Sequence, residues 1–180
     1  FMFSTGADSL AFGSIVASGP NTANPHAVPS DRVVQRGDFV LMDYGAGYCD
    51  YRSDMTRTVV VGEPTPEQLD LYALVRRTHE ECAGVEGNDI FKLSRKIIGD
   101  AGYGDYYNHG LGHGVGIDIH EMPNFNRSMN IIEAGSVITI EPGVYLPGIG
   151  GVRLEDYGVV TEDGYEPFTK SSHELQVIDC

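Results

Sequence analysis

Two stretches of this sequence follow one pattern, and this internal repeat limits the folds open to the chain more than any other feature. Residues 37–45 read GDFVLMDYG and residues 135–143 read GSVITIEPG. Each opens with glycine, continues as an apolar run typical of a buried strand, and has an acidic residue in seventh place and glycine in ninth. Buried hairpins can share composition for physical reasons alone, but the pattern favours a duplicated half-domain.

Each stretch is followed by a second acidic residue and a return strand, and hairpin geometry predicts which acids meet. If the first hairpin turns near Tyr48, Asp43 lies opposite Asp54. Opposed side chains on antiparallel strands have Cβ atoms about 4.5–5.5 Å apart, so two negative charges there repel each other. We therefore expect a positive group between Asp43 and Asp54.

The second hairpin gives the same arrangement, because a turn centred on Gly148 sets Glu141 opposite Glu155. If the two halves face each other, four carboxylates converge in apolar surroundings, where their ionisation is costly without compensation. A single acid of this kind would be interpreted as a surface residue, but the paired placement predicts a centre of two divalent metal ions. Oxygen ligands suit manganese, magnesium or cobalt.

Three of the six histidines, His109, His113 and His120, are clustered in one glycine-rich segment. The spacing of His109 and His113 resembles a helical zinc motif, but glycine follows His109 and alternates along the segment, which excludes that helix. We expect one histidine to be a metal ligand and the others to line a pocket. His79 and His173 are interpreted as ordinary core or surface residues.

Arg153 precedes Glu155 by two positions, and side chains at this spacing share one face of a strand. Arg153 is therefore expected to point into the carboxylate site, where a guanidinium can orient the acids and offset surplus negative charge. The alternative interpretation is an exposed loop arginine.

Two helices are predicted between the repeated halves. The first covers residues 66–83, where Thr65–Gln68 has the form of a capping box with proline in the first turn. The second begins at Asn88 or Asp89 and is stopped by Gly102.

Composition excludes several classes of function. The 180 residues include 26 acidic and 12 basic side chains, a net charge of −14, which argues against binding to nucleic acid or anionic membranes. No run approaches the roughly 18 apolar residues of a membrane span. Cys49, Cys82 and Cys180 are interpreted as reduced thiols, and the chain is predicted to be a cytoplasmic protein.

On these residues the sequence resembles the pita-bread metallopeptidases, and within them the Xaa-Pro aminopeptidase and Xaa-Pro dipeptidase (prolidase) branch. The similarity runs from about residue 10 to residue 178 and is carried by IVASGPNTANPHAVPSDR, GDFVLMDYGAGYCDYRSDMTRTVVVG, HGLGHGVGIDIHEMP, ITIEPGVYLPG and GGVRLEDYGVVT. It implies an α+β pita-bread fold, as in creatinase and the aminopeptidases, with two pseudo-symmetric αβ halves around a curved antiparallel sheet.

The resemblance implies that a water molecule activated by two metal ions hydrolyses the bond between an N-terminal residue and proline, in dipeptides or longer peptides. The ions implied are manganese first, with cobalt, zinc or iron as alternatives. The implied metal ligands are Asp43, Asp54, His113, Glu141 and Glu155.

The same resemblance implies the catalytic residues. Glu141 would also shuttle a proton from the water to the leaving nitrogen, and His120 would stabilise the oxyanion. His26 would lie near the proline, His109 would be a pocket donor, and Arg153 would support the metal ligands.

Two other functions stay open: methionine aminopeptidase activity, and a non-catalytic peptide- or protein-binding module on the same fold. Members of this branch normally carry an additional N-terminal domain and a first helix, which we expect this chain to lack, and the connection 80–88 looks shorter than its counterpart. We expect residues 1–180 to form a single catalytic domain, and the full-length protein to be a homodimer.

Overall fold

The computed structural model describes residues 1–84, 89–125 and 132–179. Asn88, Cys180 and the end of the connection 80–88 lie outside the described residues. The helices within them are α1 (Pro66–Ala83) and α2 (Ile90–Asp100), and short 3₁₀ turns cover Phe3–Thr5, Gly19–Ala23 and Gly104–Tyr106. The strands are β1 (Ser9–Leu10), β2 (Ile15–Ser18), β3 (Phe39–Asp43), β4 (Ala46–Tyr48), β5 (Tyr51–Arg52), β6 (Thr56–Val61), β7 (His113–Gly114), β8 (Glu121–Asn124), β9 (Val137–Ile140), β10 (Gly143–Leu146), β11 (Gly150–Arg153), β12 (Asp156–Thr161), β13 (Gly164–Pro167) and β14 (Val177–Ile178).

The two largest sheets correspond to the two halves of the repeat. One has the order β14-β6-β3-β2 and is antiparallel except for the pairing of β14 with β6. The other has the order β13-β12-β9-β7-β8 and is antiparallel throughout. The repeated strands β3 and β9 each pair with the return strand of their own half, β6 and β12. The predicted α+β fold with two similar halves is thus confirmed.

The register of the first hairpin differs from the prediction. Asp43 pairs with Thr56, and not with Asp54. The turn lies one step further along the chain than expected, since Tyr48 pairs with Tyr51 across a two-residue turn. Both turn residues adopt the left-handed conformation, Cys49 with φ 49° and Asp50 with φ 67°, which is the geometry of a tight hairpin turn.

The register of the second hairpin is the predicted one. Gly143 pairs with Arg153 on one side of the two glutamates, and Ile140 pairs with Asp156 on the other. Glu141 therefore lies across from Glu155 between these two ladders. The turn is centred on Gly148, whose φ of 79° favours glycine.

Helix α1 begins and ends where the sequence predicts. The Thr65 hydroxyl accepts a hydrogen bond from the Gln68 backbone N–H (3.2 Å), and the Gln68 side chain accepts one from the Thr65 N–H (2.9 Å). In α2, Asp89 occupies the N-cap position, but its carboxylate pairs with Lys92 and caps no backbone group. In the part of the chain that the structure describes, neither helix is long and apolar enough to cross a membrane.

Helix α1 and both halves share one core. Leu71 and Val75 of α1 pack in the same buried cluster as Val60 of the first half and Val144 and Leu154 of the second. Burying each such side chain stabilises the fold by about 1.5–3 kcal/mol. The shared core fixes the position of one half against the other, so side chains at the seam between them are held in place from both sides.

Candidate metal centre

The seam between the halves brings the five predicted ligands together. Asp43 ends β3, and Asp54 precedes β6. His113 begins β7, Glu141 follows β9, and Glu155 precedes β12, where it forms an isolated bridge with Thr56 of the first half. All five line one cavity of about 270 Å³. The other predicted site residues, His26, His109, His120 and Arg153, line it as well.

The donor atoms of these side chains converge on one region of the cavity. His113 Nε2 lies 3.6 Å from Asp54 Oδ2 and 3.5 Å from Glu141 Oε1. Donor atoms of Asp54, His113 and Glu155 all lie within 4.8 Å of one another. His113 Nδ1 contacts the Gly114 carbonyl oxygen at 3.1 Å, so Nδ1 carries the proton and Nε2 turns its lone pair toward the carboxylates. The lone pairs of the imidazole nitrogen and of the carboxylate oxygens are therefore directed toward one region between these side chains.

Burial controls the protonation of these groups. It lowers the pKa of His113 to about 4, which keeps the imidazole neutral. Burial, together with the charges of Asp43 and Glu141, raises the pKa of Asp54 to about 8. Burial also raises the pKa of Glu141 to about 7 and that of Glu155 well above its ordinary value. Without a cation, the cluster therefore retains protons that exposed carboxylates would have lost.

One further observation tests whether a metal fits. Asp43 Oδ1 is buried and has no hydrogen-bond partner among the described residues, which is uncommon for a buried carboxylate oxygen. Neutral imidazole nitrogen and several carboxylate oxygens are the donors that divalent ions bind. The residues therefore fit a divalent metal centre that is rich in oxygen ligands.

Arg153 lines the same cavity and orients the carboxylates there. It is 3% exposed, and its Nη2 donates to Asp43 Oδ2 at 2.6 Å. Its Nε donates to the Thr56 hydroxyl at 3.0 Å, and that hydroxyl donates to Glu155 Oε2 at 2.6 Å. One guanidinium thus orients a ligand from each half, one directly and the other through Thr56.

Sequence reasoning missed three hydroxyl groups at this site. Thr56 links Arg153 to Glu155, and Thr139 Oγ1 accepts from the His113 backbone N–H (3.1 Å) and lies 3.4 Å from Glu141 Oε1. Tyr145 OH accepts from Arg153 Nη1 at 2.9 Å. The alternation of β10 could have indicated Tyr145, but Thr56 depends on the hairpin register that the sequence misplaces.

The histidines differ in how they meet the cavity. His26 and His120 are exposed at its edge, and the His120 ring lies 4.2 Å from the His113 ring. His109 is half-buried and uses both ring nitrogens within the protein. Its Nδ1 donates to the Gly110 carbonyl at 2.6 Å, and its Nε2 accepts from Tyr145 OH at 2.9 Å.

Close backbone approach explains the glycines beside His113. A Cβ on Gly112 would lie 2.1 Å from the Thr139 carbonyl oxygen, and one on Gly114 would lie 2.4 Å from that of Met122. Any other residue at either position would push β7 away from its neighbours. Glycine on both sides thus allows His113 to reach the seam.

Comparison with known proteins gives a consistent result. The sequence profile described as metallopeptidase family M24 matches residues 1–162. The chain is 44% identical over 176 residues to an Xaa-Pro dipeptidase of Pyrococcus horikoshii, covering 94% of this chain and 50% of that protein. It is 45% identical over 175 residues to an Xaa-Pro dipeptidase of Lactobacillus delbrueckii subsp. lactis, covering 93% and 47%.

A solved structure described as an Xaa-Pro dipeptidase from Bacillus anthracis superposes on the fold with a TM-score of 0.95 and 43% identity. That alignment covers 98% of this chain and 51% of the other. The chain spans about half the length of the curated relatives it matches, with coverage of 50%, 51% and 47%.

Proposed function

Because the chain belongs to metallopeptidase family M24, we propose that it is the catalytic part of a metal-dependent exopeptidase that hydrolyses the bond between an N-terminal residue and proline. The observation that carries the proposal is the convergence of five donor side chains at one cavity whose edge is lined by histidines. The relatives named Xaa-Pro dipeptidase support the choice of substrate.

The proposed metal ligands are Asp43, Asp54, His113, Glu141 and Glu155, and the proposed ions are two manganese ions. The excess of oxygen over nitrogen donors supports manganese over softer metals. The chemistry that bound divalent ions supply is polarisation of the scissile carbonyl and acidification of a water molecule.

Glu141 is the proposed proton carrier. The leaving group is the secondary amine of proline, which must gain a proton as it departs. Among the glutamates, the Glu141 side chain is 18% exposed toward the cavity, whereas Glu155 is only 2% exposed. Glu141 can therefore exchange a proton with a substrate in the cavity, and Glu155 is suited to metal binding alone.

The histidines receive different proposed roles according to their free nitrogens. His120 and His26 are exposed at the edge of the cavity and can donate to the substrate, His120 at the developing oxyanion and His26 near the proline. Because both nitrogens of His109 are already used, we assign it to holding Tyr145 against Arg153.

Parallel peptide assays test this function. The protein stripped with chelator and reloaded with manganese is expected to hydrolyse Ala-Pro and to be inactive while stripped. Faster hydrolysis of Met-Ala would favour a methionine aminopeptidase. No hydrolysis of either peptide by metal-loaded protein would favour a binding module.

Three further proposals concern the protein as a whole. Residues 1–180 are proposed to be one catalytic domain, which the shared core of α1 and both halves supports. A homodimer of the full-length protein is proposed, to be tested by light scattering after size-exclusion chromatography. A cytoplasmic location is proposed because free thiols such as those of Cys49 and Cys82 are typical of reducing compartments.

A further inference from the structure

A second cluster of metal-binding side chains lies outside the cavity. His79 of α1, Asp156 of β12 and His173 of the segment before β14 have donor atoms within 4.8 Å of one another. The three residues come from distant parts of the sequence, and none of them belongs to the ligand set proposed above. Their convergence therefore needs its own explanation.

His79 is the unusual member. It is 1% exposed, and neither of its ring nitrogens has a hydrogen-bond partner among the described residues. Its Nε2 lies 3.5 Å from Asp156 Oδ2. Leaving buried polar atoms unpartnered costs free energy, and an absent ion is one of the recognised explanations for such atoms. Burial lowers the pKa of His79 to about 4, so the ring is neutral at pH 7 and one of its nitrogens has a lone pair for a cation.

Asp156 is already oriented for a ligand role. Its Oδ1 accepts from Arg57 Nη2 at 2.6 Å, which leaves Oδ2 facing both histidines. A charged partner behind a carboxylate is a common support for a metal ligand.

The spacing suits a small tetrahedral ion. With bonds of about 2.0–2.1 Å, neighbouring ligand atoms around zinc are about 3.3 Å apart. The distance of 3.5 Å between His79 Nε2 and Asp156 Oδ2 is close to this value. His173 Nε2 lies only 2.6 Å from Asp156 Oδ2, so the His173 side chain must move slightly away from Asp156 when an ion binds. The His173 side chain is 28% exposed and borders a surface cleft, so it has room to move and water can reach a fourth position.

We propose that His79, Asp156 and His173 form a zinc site that is separate from the catalytic centre and fastens the C-terminal segment to α1 and β12. Two imidazoles and one carboxylate are a donor set typical of zinc, unlike the oxygen-rich set of the cavity. The role is structural, since the site holds together three elements that have no covalent link near it.

Zinc-edge anomalous diffraction and thermal unfolding test the proposal. Crystals grown with zinc are expected to show a peak between the three side chains, and any peak among Asp54, His113 and Glu155 serves as an internal control. In solution, zinc at about a hundredfold its Kd is expected to raise Tm by roughly 5–10 °C more in the wild type than in His173→Ala. Each value is compared with the same protein in chelator. Glu174→Gln, in the same cleft, is the matched control and should keep the full effect.

Two results would overturn the site. One is a zinc-soaked crystal in which His173 stays hydrogen-bonded to Asp156, His79 stays unpartnered, and no peak lies between the three side chains. The other is a zinc-dependent rise in Tm that is equal in wild type and His173→Ala. The same comparison with His79→Gln tests the buried ligand. Peptidase activity does not enter either readout, so failure of the proposed function leaves this test intact.

Discussion

The guanidinium of Arg153 is the side chain on which most of the site depends. It donates to Asp43, to the Thr56 hydroxyl and to Tyr145 OH at the same time, and its Nη1 also reaches the Pro25 carbonyl at 3.1 Å. These acceptors lie in different directions and match a planar fork with several N–H groups. A lysine ammonium offers a single point charge and can satisfy only part of this set.

Arg153→Lys is therefore expected to lower kcat/KM for Ala-Pro by about 10–100-fold, because Asp43 and Thr56 lose their fixed orientation. Steady-state kinetics with saturating manganese measure the effect. Arg76→Lys is the matched control, since Arg76 is a half-buried arginine of α1 that pairs with Glu80 outside the cavity. Equal kinetics for Arg153→Lys and the control would show that Arg153 does not position the ligands.

Glu141→Gln tests the proton carrier. Because the amide cannot hold the transferred proton, kcat is expected to fall by about 10²–10⁴-fold. Elemental analysis of the same sample separates this loss from loss of metal, and Glu80→Gln on the surface of α1 is the control. A variant that keeps two metal ions and the wild-type kcat would exclude Glu141 as the carrier.

For single residues, the sequence predicts the ionisable site residues, because such side chains are rare in apolar strands. It does not predict the threonine hydroxyl groups of the site. Asp43, Glu141 and Arg153 stand out because ionisable groups are costly among apolar neighbours. Thr56 and Thr139 do not, since threonine is common in strands and becomes informative only when the register is known.

Among the elements, the two hairpins show what a sequence can and cannot predict. In the second hairpin Gly148 marks the turn, so the register follows directly. In the first hairpin the left-handed turn positions are held by Cys49 and Asp50, and neither has the strong turn signal of glycine. The prediction placed the turn one residue early, and this error moved the partner of Asp43 from Thr56 to Asp54.

The turn before β3 gives a test of element stability. Asp38 accepts from the Gln35 backbone N–H at 2.8 Å and from Arg32 Nη2 at 3.0 Å. The hydrogen bond from Arg32 is the main cause that holds the pKa of Asp38 below its ordinary value. The hydrogen bonds of ionised Asp38 therefore stabilise the folded state fully at any pH above the pKa of Asp38 in the unfolded chain. This stabilisation is lost as pH falls through the lower pKa of Asp38 in the folded protein.

Asp38→Asn is expected to lower the free energy of unfolding by about 1–2 kcal/mol at pH 7, because these bonds lose their charge. The difference should shrink as pH falls from 5 toward 3. Urea unfolding of both proteins across this range measures it, with Asp31→Asn in the same loop as control. A difference that stays constant down to pH 3 would contradict an ionised Asp38.

At the scale of the whole molecule, the halves place acidic side chains where metal ions are needed to balance their charge. Four of the 26 acidic residues meet at the seam. The family resemblance predicts this convergence from the sequence, but the way α1 and both halves share a core depends on packing that a pattern of apolar residues does not specify.

This placement predicts how pH acts on the metal-free protein. The folded pKa of Asp54, about 8, lies above its unfolded value, so the folded state keeps a proton that the unfolded state has lost. Stability from this source is present at lower pH and is lost as pH rises toward 8. The buried histidines oppose this fall near pH 6.5, where they are neutral in the folded state and about half protonated in the unfolded state, but they add little above about pH 7.5.

The Tm of chelator-stripped protein is therefore expected to fall between pH 6.5 and 8, and Asp54→Asn should weaken the fall. Manganese should remove it by supplying the positive charge. Calorimetry at several pH values checks both statements. A stripped protein with constant Tm over this range would show that the seam carboxylates ionise without a cation.

The claim that two metal ions bind at the seam is tested most directly by anomalous diffraction at the manganese edge, on crystals grown with manganese. The account predicts two peaks enclosed by Asp43, Asp54, His113, Glu141 and Glu155. Crystals saturated with manganese that show no peak among these five side chains would contradict it.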